Sequence, residues 1–275
     1  MSTEPTLAFI GAGNMARAII GGLISNGYPT EKIWASQPDV NKLSDLADQG
    51  LQTTSNNNEA VAEADVVILA VKPQVLKLVA DGIAGAVQSN NPLILSVAAG
   101  IMTTSMDAWF GGNTSIVRCM PNTPALVQTG ANGLFANALV SDKQKVQAEN
   151  ILQATGITLW VEEESQLDAV TAVSGSGPAY YFLVMESMIN AGIKLGLTEK
   201  VATQLTLQTA LGAAKMAQTS DVAPAELRRR VTSPNGTTEQ AIKRFLEGGL
   251  PELFDEALQA CNDRSEELAK EIGKS

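Results

Sequence analysis

Apolar residues follow two rhythms along this chain. Up to about residue 160, short apolar runs alternate with amphipathic stretches; from about residue 165 onward, apolar positions recur at helical spacing. The first rhythm predicts strands at 6–10, 32–36, 65–71, 93–98, 115–120, 132–136 and 157–161, the pattern of strand-helix units around a parallel sheet. Val66-Val67-Ile68-Leu69-Ala70-Val71 and Leu93-Ile94-Leu95-Ser96-Val97 are apolar on both faces, as strands buried between two helix layers must be, so they mark the middle of the sheet. The second rhythm predicts helices at 168–173, 178–195, 199–219, 224–231, 238–246 and 251–272. Start signals support several of these: Pro178 follows Ser176-Gly177, Thr198 can cap the next helix, and Thr237 with Gln240 reads as a capping box. The expected architecture is an α/β domain with a doubly wound sheet over residues 1–164, then an all-helical domain over 165–275. Gly192, Gly196 and the stripe Leu205, Ala210, Ala213 and Ala214 suggest tight helix contacts, between subunits as well as within one.

Composition narrows the chemistry more than the fold. At 275 residues each of two domains can bury its own core. A net charge of −10 gives no footing for nucleic acid, and Arg228-Arg229-Arg230 sits in a helical stretch suited to local ion pairs. No apolar run is long enough to span a bilayer, and residues 1–5 are polar and acidic where a secretion signal would begin basic, so a cytoplasmic location away from the membrane is expected. Cys119 and Cys261 are too few for a disulfide scaffold or thiolate cluster and are expected to be free thiols. The chain contains no histidine, which removes the commonest general acid/base, the Ser-His and Cys-His pairs and imidazole metal sites together. No metal site is expected. Chemistry must come from a cofactor or from Asp, Glu, Lys, Tyr, Ser and Thr.

Directly after the first predicted strand stands Gly11-Ala12-Gly13-Asn14-Met15-Ala16, a G-x-G-x-x-A opening a helix, with a second strand about 20 residues on. In that context it reads as the dinucleotide-binding turn of a Rossmann domain. Gly11 permits the tight turn, Gly13 lets the backbone approach a pyrophosphate, and Ala16 allows close helix packing. The second strand ends in Ala35-Ser36-Gln37-Pro38 with no carboxylate for the ribose hydroxyls, so Ser36 could donate to a 2′-phosphate and the pattern leans to NADP. Lys42 is a more distant candidate. Asn56, Asn57 and Asn58 could reach the adenosine side, or form an ordinary Asn-rich turn. Val71-Lys72-Pro73 and Ala98-Ala99-Gly100 lie at carboxyl ends of strands, where open α/β sheets bind ligands, although a lysine before proline also suits a solvated loop. The two prolines of Arg118-Cys119-Met120-Pro121-Asn122-Thr123-Pro124 make a stiff loop that could wall a nicotinamide pocket.

In the helical half, Ser174-Gly175-Ser176-Gly177-Pro178-Ala179-Tyr180 and Ser233-Pro234-Asn235-Gly236-Thr237-Thr238 each lead into a new helical pattern. A helix start offers unpaired N–H groups and a partial positive charge, so two of them could hold one small carboxylate; both could equally be plain helix turns. A nicotinamide domain joined to such starts implies hydride transfer to or from a small carboxylic acid. A protonated imine suits a chain without histidine, because its nitrogen already carries the proton and hydride delivery to carbon yields the amine directly.

These residues resemble the pyrroline-5-carboxylate reductases over essentially the whole chain. The resemblance rests on Phe9-Ile10-Gly11-Ala12-Gly13-Asn14-Met15, Ala70-Val71-Lys72-Pro73, the Arg118 to Pro124 run, the stretch from Asp168 to Tyr180, and Val231-Thr232 with the Ser233 to Thr238 turn. It implies a Rossmann domain and a helical dimerisation domain in a homodimer or larger ring of dimers, and reduction of the cyclic imine to L-proline with NADPH, or NADH. It implies cofactor contacts at Gly11, Ala12, Gly13, Asn14, Met15, Ser36, Asn57, Val71, Lys72, Pro73, Ala98, Ala99 and Gly100. It implies substrate contacts at Ser233, Gly236, Thr237 and Thr238, with the Thr238 hydroxyl beside the ring nitrogen and Asp221 near that loop; Ser176 and Gly177, at the other helix start, are the remaining expected substrate contacts. Asn235 stands where some members have a second glycine. The residues alone leave two other readings: a hydroxyacid reductase using Lys194 or Lys215 as acid/base, and a non-catalytic NADP(H) sensor.

Overall fold

A computed structural model describes residues 4–272. Eight strands form one sheet: β1 (Leu7–Ile10), β2 (Ile33–Ser36), β3 (Gln52–Thr54), β4 (Val66–Leu69), β5 (Leu93–Ser96), β6 (Ile116–Met120), β7 (Gly130–Ala136) and β8 (Gly156–Trp160), in the order β3-β2-β1-β4-β5-β6-β7-β8. All neighbours pair in parallel except β6 with β7. The chain starts at β1, winds outward to β3, and returns to β4 on the other side of β1. That reversal leaves a crevice at the carboxyl ends of β1 and β4.

Period-2 alternation sorts the strand side chains to two cores. Leu7, Phe9, Val66, Ile68, Leu93, Leu95 and Val117 pack with Ile19, Ile20 and Leu23 of α1 (Asn14–Ser25). Ala8, Ile10, Val67, Leu69, Ile94 and Ile116 pack on the opposite face. That second face is covered by α3 (Asn57–Ala62), α4 (Pro73–Asn90) and α5 (Thr103–Trp109), while α2 (Ser44–Ala47) follows β2 and α6 (Asp142–Gln153) closes the first layer. The two strands expected at the middle, β4 and β5, are fully buried there. β3 was not foreseen: Gln52-Thr53-Thr54 is polar and partly exposed at the sheet edge, so it carries no hydrophobic signal.

Beyond β8 all regular structure is helical: α7 (Gln166–Val170), a π-helical turn at Thr171–Gly175, α8 (Gly177–Lys194), α9 (Glu199–Gln218), α10 (Pro224–Arg230), α11 (Thr237–Glu247) and α12 (Leu250–Ile272). The described residues divide into two compact units, one running to Ser176 and resuming at Cys261, the other Gly177–Ala260. The boundary expected at 164/165 marks where strands stop, but the first unit extends further. Val170 packs over Gly133 of β7, and Ser265 and Cys261 of α12 hydrogen-bond Asp168 (2.6 Å) and Ser176 (3.4 Å). No helix among the described residues is long and apolar enough to cross a membrane. Both cysteines are free thiols, and burial raises that of Cys119 well above its usual range.

Candidate active site

The glycine turn joins three strand ends. Gly11 takes φ +93°, open to glycine but strained for other residues, and its N–H donates to Ser36 O at 2.9 Å. A Cβ on Gly11 would stand 2.8 Å from Ala70 O and from Val71 Cγ1, so only glycine lets the turn lie between β2 and β4. Ala12 and Ala16 are buried. Gly13 caps α1 without any side-chain hydrogen bond, the first turn of α1 carries no acid, and no atom lies within 4 Å of where a Gly13 Cβ would be. The first N–H groups of a helix, here those of Asn14, Met15 and Ala16, have no intrahelical partner, so bare backbone faces outward as a pyrophosphate requires.

The adenosine side departs from expectation at Ser36. Its side chain is fully buried and its hydroxyl donates to Asn57 Oδ1 at 2.6 Å, so that proton is not available to a 2′-phosphate. The three asparagines have different tasks. Asn56 caps α3 by accepting from Asn58 N–H (3.1 Å), Asn58 Nδ2 donates to Gly82 O (3.1 Å), and Asn57 accepts at Oδ1 from Ser36. Lys42 is exposed and faces Asp39 at 3.9 Å. Arg17 was missed by sequence reading. Its Nε donates to Ala12 O (3.1 Å) and its Nη2 to Lys42 O (2.7 Å) and Asp45 Oδ1 (3.1 Å), while Nη1 pairs with Asp45 Oδ2. It latches the glycine turn to the loop after β2, and its hydrogen bond holds the Asp45 carboxyl below the usual carboxylate range. An arginine one position past the glycine motif was the only sequence signal for it.

On the nicotinamide side, Lys72 is exposed at the cap of α4 with Pro73 at its first position, and Val71 is half-buried. Ala98 is buried with its N–H donating to Ser96 Oγ (3.4 Å), Ala99 is exposed, and Gly100 takes φ +74°. These residues gather at the carboxyl ends of β4 and β5.

The two Gly/Ser/Pro breaks differ. The first is not a fresh helix start: the chain passes from α7 through the π-helical turn, and Ser176 N–H already donates to Thr171 O at 2.8 Å. Ser176 Oγ accepts from the Cys261 thiol, and Gly177 is buried. Sequence reading missed this because a π turn leaves the apolar spacing nearly helical.

The second break is a true start. Gly236 N–H closes a turn onto Ser233 O (3.0 Å), with Pro234 and Asn235 at its corner. Asn235 takes φ +59°, a conformation glycine favours and asparagine tolerates, so the turn keeps its path with asparagine in place. The expected capping box does not form. Gly236, extended at φ −84° and ψ 171°, occupies the cap, and α11 begins at Thr237, one residue earlier than expected. Glu239, not Gln240, reaches back, accepting from Asn235 N–H at 2.8 Å. The N–H groups of Thr237 and Thr238 belong to the open first turn, and Ser233, Thr237 and Thr238 are exposed. Asp221 is exposed between α9 and α10.

Known proteins decide the family. The chain is 55% identical over its full 275 residues to a pyrroline-5-carboxylate reductase of Pseudomonas aeruginosa, covering 100% of both. This chain belongs to the pyrroline-5-carboxylate reductase family. The family described as pyrroline-5-carboxylate reductase dimerisation matches residues 164–268, and that described as NADP oxidoreductase, coenzyme F420-dependent, matches residues 6–100. The fold is similar to a solved pyrroline-5-carboxylate reductase from Coxiella burnetii, with TM-score 0.94 and 45% identity over 97% of this chain and 99% of that one. It is also similar to a Plasmodium falciparum pyrroline carboxylate reductase solved with NADP bound, with TM-score 0.84 and 28% identity over 96% and 98% of the two chains. The N-terminal unit is thus the dinucleotide-binding half of a reductase, and the helical segment is the family's dimerisation module.

Proposed function

We propose that this chain reduces 1-pyrroline-5-carboxylate to L-proline, in the cytoplasm, as a homodimer or a ring of dimers, using NADPH in preference to NADH. The observation that carries this reading is the Ser233–Gly236 turn, which ends in the open first turn of α11 in a chain whose other half is a bare dinucleotide turn. Bound NADPH supplies the hydride. The Gly11–Met15 turn and the start of α1 hold the pyrophosphate; Val71, Lys72, Pro73, Ala98, Ala99 and Gly100 bound the nicotinamide side. Asn57, oriented by Ser36, meets the 2′-phosphate through Nδ2. Where β2 ends no acid stands to repel that phosphate, which supports the NADPH preference.

The substrate carboxylate lies on the N–H groups of Thr237 and Thr238, with Ser233 and Gly236 shaping the turn; Ser176, Gly177 and Asp221 are the further substrate contacts of this reading. The Thr238 hydroxyl orients the ring nitrogen. An iminium nitrogen keeps its proton throughout, so the protein has no proton to move, only reactants to position and water to exclude. A missing positioned hydroxyl costs about 1 kcal/mol or more where it leaves a buried partner unsatisfied. Thr238→Ala should therefore lower kcat/KM for the imine several-fold to a few hundred-fold with KM for NADPH unchanged. Steady-state rates identical to the parent's would remove Thr238 from the site.

The helical unit supports the dimer. Phe182, Leu183, Leu205 and Leu211 are each more than half exposed, and few residues of this unit are buried. Apolar faces of this extent mark an interaction surface, and a second copy of the matched dimerisation segment is the natural cover.

A further inference from the structure

The run from Arg118 to Pro124 ties β6 to the segment that follows β8. Arg118, Met120 and Asn122 alternate onto one face of β6 and its extension, and all three meet the segment 164–175. Arg118 Nη1 pairs with Glu164 Oε1 at 2.7 Å with both side chains largely buried, and Glu164 is held further by Thr103 N–H (2.7 Å) and Thr103 Oγ1 (2.8 Å). Met120 Cε fills the space beside Gly175 that a Cβ there would overlap. Asn122, only 9% exposed, donates from Nδ2 to Ser174 O (3.0 Å) and accepts at Oδ1 from Ala131 N–H (2.9 Å).

The third contact answers a backbone deficit. In a helix the Ser174 carbonyl would accept from the N–H four residues on, but that residue is Pro178, which has none. Asn122 supplies a donor to that carbonyl where the π-helical turn hands over to α8.

We propose that Asn122 is a positioning residue for substrate binding: by holding the Ser174 carbonyl it fixes the turn that presents Ser176 and Gly177 to the imine's carboxylate side. The proposal rests on the reading that Ser176 and Gly177 contact substrate. It assigns Asn122 to the substrate side of the reaction.

The test is steady-state kinetics and hydrogen exchange on full-length Asn122→Ala and on Asn122→Ala/Pro178→Ala, in which residue 178 regains an N–H for Ser174. Loss of one such bond should raise KM for the imine about tenfold, leave KM for NADPH within about twofold, and speed exchange over residues 171–178 by a similar factor. The double variant should recover a good part of both effects, a rescue that a merely structural role does not predict. An equal rise in KM for NADPH, or a fall in kcat with both KM values unchanged, would overturn the proposal. Ser176→Ala run alongside separates the two layers: if it leaves the imine KM untouched, the substrate assignment of Ser176 fails. Exchange over 171–178 then judges Asn122 by itself, and unchanged exchange sinks it. If Asn122→Ala does not accumulate folded, Asn122→Asp keeps the acceptor for Ala131 N–H, exchanges the donor for a carboxylate oxygen facing Ser174 O, and is read the same way.

Discussion

At the scale of single residues, the site is specified by which polar atoms are already committed. The Ser36 hydroxyl is held by Asn57, so in the proposed reading discrimination between the two cofactors passes to the asparagine. Replacing it by Asp would set a carboxylate beside the expected phosphate, and like charges in contact disfavour binding strongly. Asn57→Asp should raise KM for NADPH about tenfold or more while KM for NADH changes much less. A parallel titration of both cofactors checks this, and equal effects on the two would move the 2′-phosphate away from Asn57. Commitment of this kind is invisible in a sequence: Asn56, Asn57 and Asn58 are identical side chains in a row, and only the start of α3 gives one a cap, one a backbone tie and one a partner in Ser36.

At the scale of elements, the glycine turn works because α1 is held rigidly behind it. Gly22 on α1 faces the backbone at Ala154, where an added Cβ would overlap the Ala154 carbonyl oxygen, an atom that cannot swing aside. Gly22→Ala should cost roughly 1–3 kcal/mol, as overpacking against fixed atoms does, and lower the urea midpoint without altering its slope. An unchanged midpoint would mean that α1 can slide. β1 and α9 were legible from sequence to within a residue, while the apolar runs of β4 and β5 continue two residues past the ends of their strands. Legibility failed where geometry departs from a regular period or from apolar patterning: the polar edge strand β3, the π-helical turn before α8, and a cap at Gly236 that moves α11 forward by one residue. The motif from Arg118 to Pro124 could be recognised as special but not explained, because its partners Glu164 and Ser174 lie far along the chain.

At the scale of the whole molecule, the helical unit is under-buried for a free-standing fold, and the family's dimerisation segment spans it. Phe182→Asp would put a charge on an apolar face, and burying an unpaired charge costs several kcal/mol. Light scattering after size exclusion should find the parent as a dimer or multiple of dimers and this variant as monomer, with activity down more than tenfold. A variant that stays dimeric and active would show that another surface joins the subunits. Imine reduction itself is read by following NADPH absorbance when the protein meets 1-pyrroline-5-carboxylate, with NADH and a 2-keto acid in parallel. Rapid oxidation is expected with the imine, faster with NADPH than with NADH, and none with the keto acid. Folded protein that binds NADPH yet leaves the imine unreduced would contradict the proposed function.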